Sequence, residues 1–111
     1  MKLLSWNIRG LNGHSKQRML KMKTQQDPPS VLFLQETKCP SDSATAILAR
    51  IWKNCITIAI DAQGASGGLS ISWNPLIISL DNALACRHSL SASFHILGSS
   101  IRVFLMNVYG P

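Results

Sequence analysis

The stretch Val31-Leu-Phe-Leu-Gln-Glu-Thr-Lys38 decides the expected fold. Four large apolar residues in a row follow Pro28-Pro29-Ser30, and this pattern predicts a strand that is buried on both faces and central in a sheet. The run becomes polar at Gln35 and Glu36, so a carboxylate is expected at the end of a buried strand, where open α/β sheets usually bind their ligands. Glu36 is also the only glutamate in the chain. The same residues fit a solvated strand end followed by a loop, and the pattern does not separate the two interpretations.

The segments around this strand predict alternating strands and helices, followed by strands alone. Residues 2–8 form the first strand candidate, and a helix with a thin apolar stripe runs from its N-cap Ser15 to Gln26. A second helix has its apolar residues at the spacing of one buried face: Ala44, Ile47, Leu48 and Ile51. Five strand candidates follow, with turns at Gln63–Gly68 and at Asp81-Asn82. The expected fold is therefore α/β, in the order β-α-β-α-β-β-β-β-β.

Basic residues outnumber acidic ones and are concentrated in the first third of the chain. Eleven Lys and Arg against five Asp and Glu give a net charge of +6, which favours an anionic partner such as nucleic acid. Seven of the eleven lie at or before Lys38: Lys2, Arg9, Lys16, Arg18, Lys21, Lys23 and Lys38. A basic, solvated helix face without a partner explains this charge equally well.

Composition excludes several classes of protein. A chain that is 46% hydrophobic and 14% charged is expected to be globular rather than disordered. The three cysteines, Cys39, Cys55 and Cys86, match no disulfide framework or zinc motif, so we expect reduced thiols in an intracellular protein. The sequence shows no signal-peptide core and no stretch near the ~18 apolar residues of a membrane span, so we expect no membrane partner.

Polar residues at the ends of three predicted strands are the candidates for a functional site. Asn7 ends the first strand and would converge with Glu36 if the first two strands are neighbours. Such a pair suits Mg²⁺, which takes oxygen ligands and is often held by one or two carboxylates plus substrate phosphate. Tyr109 follows the last strand and could donate its hydroxyl to a phosphate, while Arg9 and Lys38 are cations beside the polar positions. Each also has a structural interpretation: an Asx turn for Asn7, an aromatic plug for Tyr109 and solvated strand ends for the two cations.

Four short blocks occur in order along the chain: Ser5–Leu11, Leu32–Lys38, Gly67–Pro75 and Asn107–Pro111. Together they resemble the endonuclease/exonuclease/phosphatase family and, within it, the endonuclease domain of plant LINE-type retrotransposons. The resemblance implies the N-terminal half of a deoxyribonuclease-I-like, four-layer α/β sandwich of two packed sheets flanked by helices. It also implies a magnesium-dependent endonuclease, with Mn²⁺ as an alternative metal and DNA as partner. The suspected retroelement origin implies a nuclear location.

The resemblance assigns roles to three of the candidate residues. Glu36 matches the family's metal-binding glutamate, Asn7 its asparagine beside the metal and phosphate, and Tyr109 its tyrosine at the scissile phosphate. Two blocks of the family, in a domain about twice this long, are missing: an Asp-x-Asn motif that positions the water and a C-terminal Ser-Asp-His block. Asp81-Asn82 lacks the intervening residue and precedes Tyr109, so it does not replace the first block. The general base has no candidate.

Three interpretations remain open at this stage. In the first, residues 1–111 are part of an endonuclease domain whose C-terminal half is absent, since an apolar last strand with an open edge is a pairing liability that complete domains usually cover. In the second, the chain is a non-catalytic retroelement remnant that binds nucleic acid weakly through its basic N-terminal third. In the third, it is a fragment that does not fold stably alone, because half of its sheets lack partners.

Overall fold

The computed structural model describes residues 1–61 and 67–109, and its elements follow the predicted order. They are β1 (Leu3–Asn7), α1 (His14–Gln26), β2 (Val31–Gln35), α2 (Ser41–Ile51), β3 (Ile56–Ile60), β4 (Leu69–Trp73), β5 (Ile78–Ala85), β6 (Ser89–Ile96) and β7 (Arg102–Val108). Most of the turn predicted over Gln63–Gly68 lies outside the described residues, as do Gly110 and Pro111 of the fourth block. Neither helix in the described part of the chain is long and apolar enough to cross a bilayer.

The first sheet has the strand order β1-β2-β4-β3, and β2 is central as predicted. β1 and β2 run parallel, whereas β4 is antiparallel to both of its neighbours. Leu32 and Leu34 of β2 face a core formed with the helices, while Val31 and Phe33 face a second core against the other sheet. Because successive side chains of a strand point to opposite faces, burial on both sides requires the unbroken apolar run that the sequence shows.

The two helices cover one face of the first sheet. The four residues of α2 that the periodicity assigned to a buried face are the four that are buried: Ala44, Ile47, Leu48 and Ile51. In α1 the buried residues are Leu20 and Thr24, in keeping with its thin apolar stripe. The prediction of Ser15 as N-cap is wrong. The Gly13 carbonyl already accepts a 3.0 Å hydrogen bond from the Gln17 amide, so α1 begins at His14 and Ser15 lies inside it.

The second sheet, β5-β6-β7, is antiparallel throughout and packs against the free face of the first. Trp73 of β4 meets Phe94 of β6 edge to face, with ring centroids 5.1 Å apart and planes at 68°, a favourable arrangement for an aromatic pair. The predicted turn at Asp81-Asn82 is wrong. β5 continues through it, and the pairing register with β6 shifts between Leu80 and Asn82, so the polar pair forms a β-bulge. In the described residues the layers are therefore helix, sheet and sheet.

Candidate functional site

The parallel pairing of β1 and β2 brings their polar ends to the same edge of the first sheet. Asn7 is the register partner of Gln35, so the residue that follows Gln35 lies beside it. Asn7 Nδ2 donates a 2.6 Å hydrogen bond to Glu36 Oε2. The two side chains therefore converge, and the Asn7 amide fixes the Oε2 oxygen of the Glu36 carboxylate.

The backbone around Glu36 is held in an unusual conformation. Arg9, Glu36 and Lys38 have φ of 51°, 53° and 54°, and among the described non-glycine residues only Asn54 shares the left-handed region. A non-glycine residue in this region costs of order 1–3 kcal/mol and persists only where its surroundings impose it. Three such residues within the first two sequence blocks mark this edge as the place where the chain accepts backbone strain.

Hydrogen bonds from two other segments impose that conformation. On one side, the Gly10 amide donates to the Glu36 carbonyl at 2.8 Å. On the other side, the Thr37 amide donates to the Gly68 carbonyl at 3.3 Å, and the Lys38 amide donates to the Gly67 carbonyl. The loop after β2 is therefore clamped between the loop after β1 and the start of β4.

Gly67 touches Glu36 so closely that only glycine fits. A Cβ at position 67 would lie 2.7 Å from Glu36 Cα and 3.0 Å from both Cβ and Cγ. The first contact involves the backbone and cannot be relieved by rotating a side chain. The third sequence block therefore serves the site by allowing the approach that orients Glu36.

A cavity of about 570 Å³ opens at this edge, between the two sheets. Its lining residues come from β1, β2 and β7 and the loops that follow them: Ser5, Asn7, Arg9, Phe33, Gln35, Glu36, Met106, Asn107, Val108 and Tyr109. The structure thus brings four of the five predicted site residues together, namely Asn7, Arg9, Glu36 and Tyr109. The fifth, Lys38, is exposed and lines a separate depression with Cys39, Pro40 and Asp61.

Tyr109 is placed in the cavity wall by the second sheet. Its amide donates a 2.8 Å hydrogen bond to the His88 carbonyl. Its ring stacks on the His88 imidazole with centroids 6.2 Å apart and planes at 27°. The two residues are 21 positions apart, so no local sequence pattern indicates this contact.

Sequence reasoning also missed a polar contact across the sheets. Gln35 Nε2 donates to Asn107 Oδ1 at 2.8 Å and to Ser5 Oγ at 3.0 Å. Asn107 is almost fully buried, and its Nδ2 donates to the carbonyls of Leu34 and Ser70. One signal was available: in β7, Val103 and Leu105 point inward, so the alternation places Asn107 at an inward position where an apolar residue is expected.

The oxygen atoms at this edge suit a hard divalent cation, and with few protein ligands the site would bind it with modest affinity. Glu36 is the only carboxylate among the lining residues, and no group of three His, Cys, Asp or Glu side chains occurs within residues 1–61 and 67–109. Mg²⁺ is often held by one or two protein carboxylates and keeps several waters, for which the open cavity has room. This donor set would not suit a metal that needs a closed cage of protein ligands.

Cys39 lies next to the site but is not equipped as a nucleophile. The thiol is buried, and burial raises its pKa, with Thr37 opposing the shift through a hydrogen bond. A thiol with a raised pKa is protonated at neutral pH and reacts slowly. Burial also raises the pKa of Cys55. Neither Cys39 nor Cys55 is therefore an activated thiol, and Cys86 is exposed.

No protein-family profile and no curated protein sequence matches the chain. Among solved structures it is similar to the human Nocturnin catalytic domain with bound sulfate, at 13% identity and a TM-score of 0.71, over 96% of this chain and 48% of that one. It is also similar to AP endonuclease LMAP from Leishmania major (22% identity, TM-score 0.69, 97% and 39%) and to D. rerio TDP2 complexed with single-strand DNA product (16%, 0.72, 96% and 44%). The fold is therefore that of the deoxyribonuclease-I-like endonuclease/exonuclease/phosphatase enzymes. The chain spans less than half the length of each of these structures.

Proposed function

We propose that this chain carries the metal-binding and phosphate-binding part of a magnesium-dependent nucleic-acid phosphodiesterase site. The observation that carries the proposal is the 2.6 Å hydrogen bond between Asn7 and Glu36, at the mouth of a polar cavity between the two sheets. The fold supports the same activity class, since solved structures that share it include an AP endonuclease and an enzyme bound to a DNA product.

Each lining residue has a role in this proposal. Glu36 holds the metal, and Asn7 orients the carboxylate through Oε2. Tyr109 and Arg9 are the donors that face the phosphate, one from each side of the cavity. Donors fixed before the reaction stabilise charge that develops on a phosphate without further reorganisation. When bound, Mg²⁺ would supply Lewis-acid stabilisation of that charge.

We further propose that residues 1–111 are part of a longer domain. The chain spans 39–48% of the similar structures named above. Among the described residues, none that lines the cavity is an aspartate or a histidine, so the group that positions the attacking water would come from another polypeptide segment. The sequence blocks support an origin among LINE-type retrotransposon endonucleases, with DNA as substrate and the nucleus as location, and the three free thiols support an intracellular site.

Nicking of supercoiled plasmid by the purified chain tests the proposed function. Because another segment or a second copy of the chain must supply the group that positions the water, we expect nicking only where the site is completed in this way. That nicking should depend on Mg²⁺ and should be abolished by Glu36→Ala, which removes the only carboxylate among the described lining residues of the cavity. Asp42→Ala is the matched control, since it removes an exposed carboxylate from α2. Nicking that Glu36→Ala leaves unchanged would overturn the role of Glu36, and absence of nicking would mean that residues 1–111 do not catalyse hydrolysis without a further segment.

A second candidate function, binding of nucleic acid without catalysis, is favoured by one surface. A cleft of about 340 Å³ between the helices is lined by cations and has no carboxylate in its wall: His14, Gln17, Arg18, Lys21, Arg50 and Ile51. Two other basic residues of the N-terminal third already have partners. Lys2 pairs with Asp27, and Lys16 Nζ donates to the Ile8 carbonyl at 2.7 Å. The cleft therefore brings Arg18, Lys21 and Arg50 together on one surface that a phosphate backbone could contact.

Salt dependence of duplex binding tests this second function. Each phosphate contact contributes about −0.9 to the slope of log K against log salt. Replacing Arg18, Lys21 and Arg50 together by Gln is expected to make the slope less negative by about 2.7, whereas Lys53→Gln, outside the cleft, leaves it unchanged. An equal slope for the triple variant would exclude the cleft as a binding surface.

A further inference from the structure

We propose that Gln35 and Asn107 are positioning residues that fix the position of β7 relative to β2 across the two sheets. They thereby keep Tyr109 at the same cavity as Glu36. The inference rests on the proposed function, because the relative position of Tyr109 and Glu36 affects chemistry only if both act on one phosphate. We call the Gln35–Asn107 pair, with its hydrogen bonds, the inter-sheet clasp.

The inter-sheet clasp is a complete set of hydrogen bonds at a buried amide. Asn107 is 1% exposed. Its Nδ2 donates to Leu34 O at 3.1 Å in β2 and to Ser70 O at 2.8 Å in β4, while its Oδ1 accepts the 2.8 Å bond from Gln35. Both hydrogens and the oxygen of the amide are thus used, and every partner belongs to the other sheet.

Apolar packing alone does not fix the position of β7 relative to the first sheet. The remainder of the interface between the sheets is formed by residues such as Phe33, Ile71 and Phe94, whose attraction is not directional. An apolar side chain at position 107 could fill the same space, but Gln35 and the carbonyls of Leu34 and Ser70 would lose this partner, which is costly for buried polar groups. The hydrogen bonds instead fix one placement of β7, since sliding the strand would leave a buried amide unsatisfied.

The clasp lies directly beside the residues it would position. Glu36 follows Gln35, and Tyr109 lies two residues beyond Asn107, just past the end of β7, where it packs against the core between the sheets. The contacts of Tyr109 with His88 tie it to its own sheet. The inter-sheet clasp connects that sheet to β2, the strand that leads to Glu36.

Fluorine NMR offers a direct test, because Tyr109 is the only tyrosine of the chain. Protein labelled with 3-fluorotyrosine gives one resonance that reports on this ring. Gln35→Met keeps the length of the side chain but removes the bond to Asn107, and it spares the buried amide itself. We expect the resonance to shift toward its position in the denatured chain.

Two controls separate positioning from simple stability. Gln17→Met removes the 3.0 Å bond from Gln17 Nε2 to the Leu11 carbonyl, far from β7, and Ser5→Ala removes only the Ser5 partner of Gln35. Each Gln→Met substitution removes two hydrogen bonds, because Gln17 Oε1 also accepts one from Arg50 Nη2, so the two variants should lose similar stability. Only Gln35→Met should move the Tyr109 resonance.

The outcomes are distinct for the two proposals. A resonance that Gln35→Met leaves in its wild-type position, while Tm falls as in Gln17→Met, would show that the clasp is structural only. The readout needs no metal and no substrate. It can therefore succeed or fail whether or not Glu36 binds Mg²⁺ and whether or not the chain nicks DNA.

Discussion

Gly67→Ala is the substitution whose effect follows most directly from the geometry of the site. The added Cβ would lie 2.7 Å from Glu36 Cα and 3.0 Å from its Cβ and Cγ. The first distance is well below ordinary contact, and both segments are held by backbone hydrogen bonds, so neither can move freely. Overpacking of this kind costs about 1–3 kcal/mol.

The expected loss has two parts that can be measured separately. A cost of about 1–3 kcal/mol lowers Tm by about 4–8 °C for each kcal/mol, and tryptophan fluorescence can measure this fall. The strain falls on Glu36, so the stabilisation that added Mg²⁺ gives the wild type should also decrease. The first effect reports packing and the second reports the metal site.

Gly13→Ala is the matched control for this substitution. A Cβ there would meet only Lys16 Cγ, at an ordinary 3.7 Å, and the φ of Gly13 is −71°. We expect a cost of about 0.5 kcal/mol, from the weaker N-cap alone. If Gly67→Ala melts like Gly13→Ala and responds equally to Mg²⁺, the close approach of Gly67 to Glu36 does not orient the carboxylate.

Three further predictions concern charge, thiols and surface. The Ser41 amide donates to Asp61 Oδ1 at 2.6 Å and lowers the pKa of Asp61. The stability that this hydrogen bond gives is present above the unfolded pKa of about 3.9 and is lost as pH falls through the lower folded pKa. Asp61→Asn should therefore flatten the acid limb of a plot of Tm against pH. Iodoacetamide should modify exposed Cys86 well before buried Cys39, as peptide mapping of the native protein will show. Phe104 is 65% exposed on the outer face of the second sheet, so Phe104→Lys should reduce self-association in sedimentation velocity without lowering Tm.

Each of these predictions has a result that would contradict it. An unchanged acid limb in Asp61→Asn would mean that the hydrogen bond from α2 does not persist in solution. Alkylation of Cys39 as fast as that of Cys86 would mean that the core beside the site opens readily. A fall in Tm for Phe104→Lys would mean that the ring is packed in solution.

The sequence predicted those parts of the fold that depend on local periodicity. β2 was expected to be buried on both faces because Val31–Leu34 is an unbroken apolar run, and both cores use it. α2 was expected from one i, i+3, i+4, i+7 stripe. The errors occurred where one segment overrides local preference in another. Ser15 is a good N-cap by type, yet the helix begins before it, and Asp81-Asn82 reads as a turn although pairing with β6 continues the strand.

The site was predictable only in part, for a related physical reason. Asn7 and Glu36 end adjacent strands, so their meeting follows from one pairing that the βαβ pattern implies. Gln35 and Asn107 meet across 72 positions and two sheets, and no local pattern encodes that contact. Lys38 looked like a phosphate ligand by proximity in sequence, but the chain leads it to a separate depression with Asp61.

A titration of Mg²⁺ into the uniformly ¹⁵N-labelled chain, followed by amide chemical shifts, tests the central claim most directly. The wild type is expected to show saturable shifts centred on the amides of Asn7, Arg9 and Glu36. In Glu36→Gln, which keeps the side-chain shape and removes the charge, these shifts should disappear. Shifts that persist in the variant, or that centre on another part of the chain, would contradict the claim that Glu36, held by Asn7, forms the metal site.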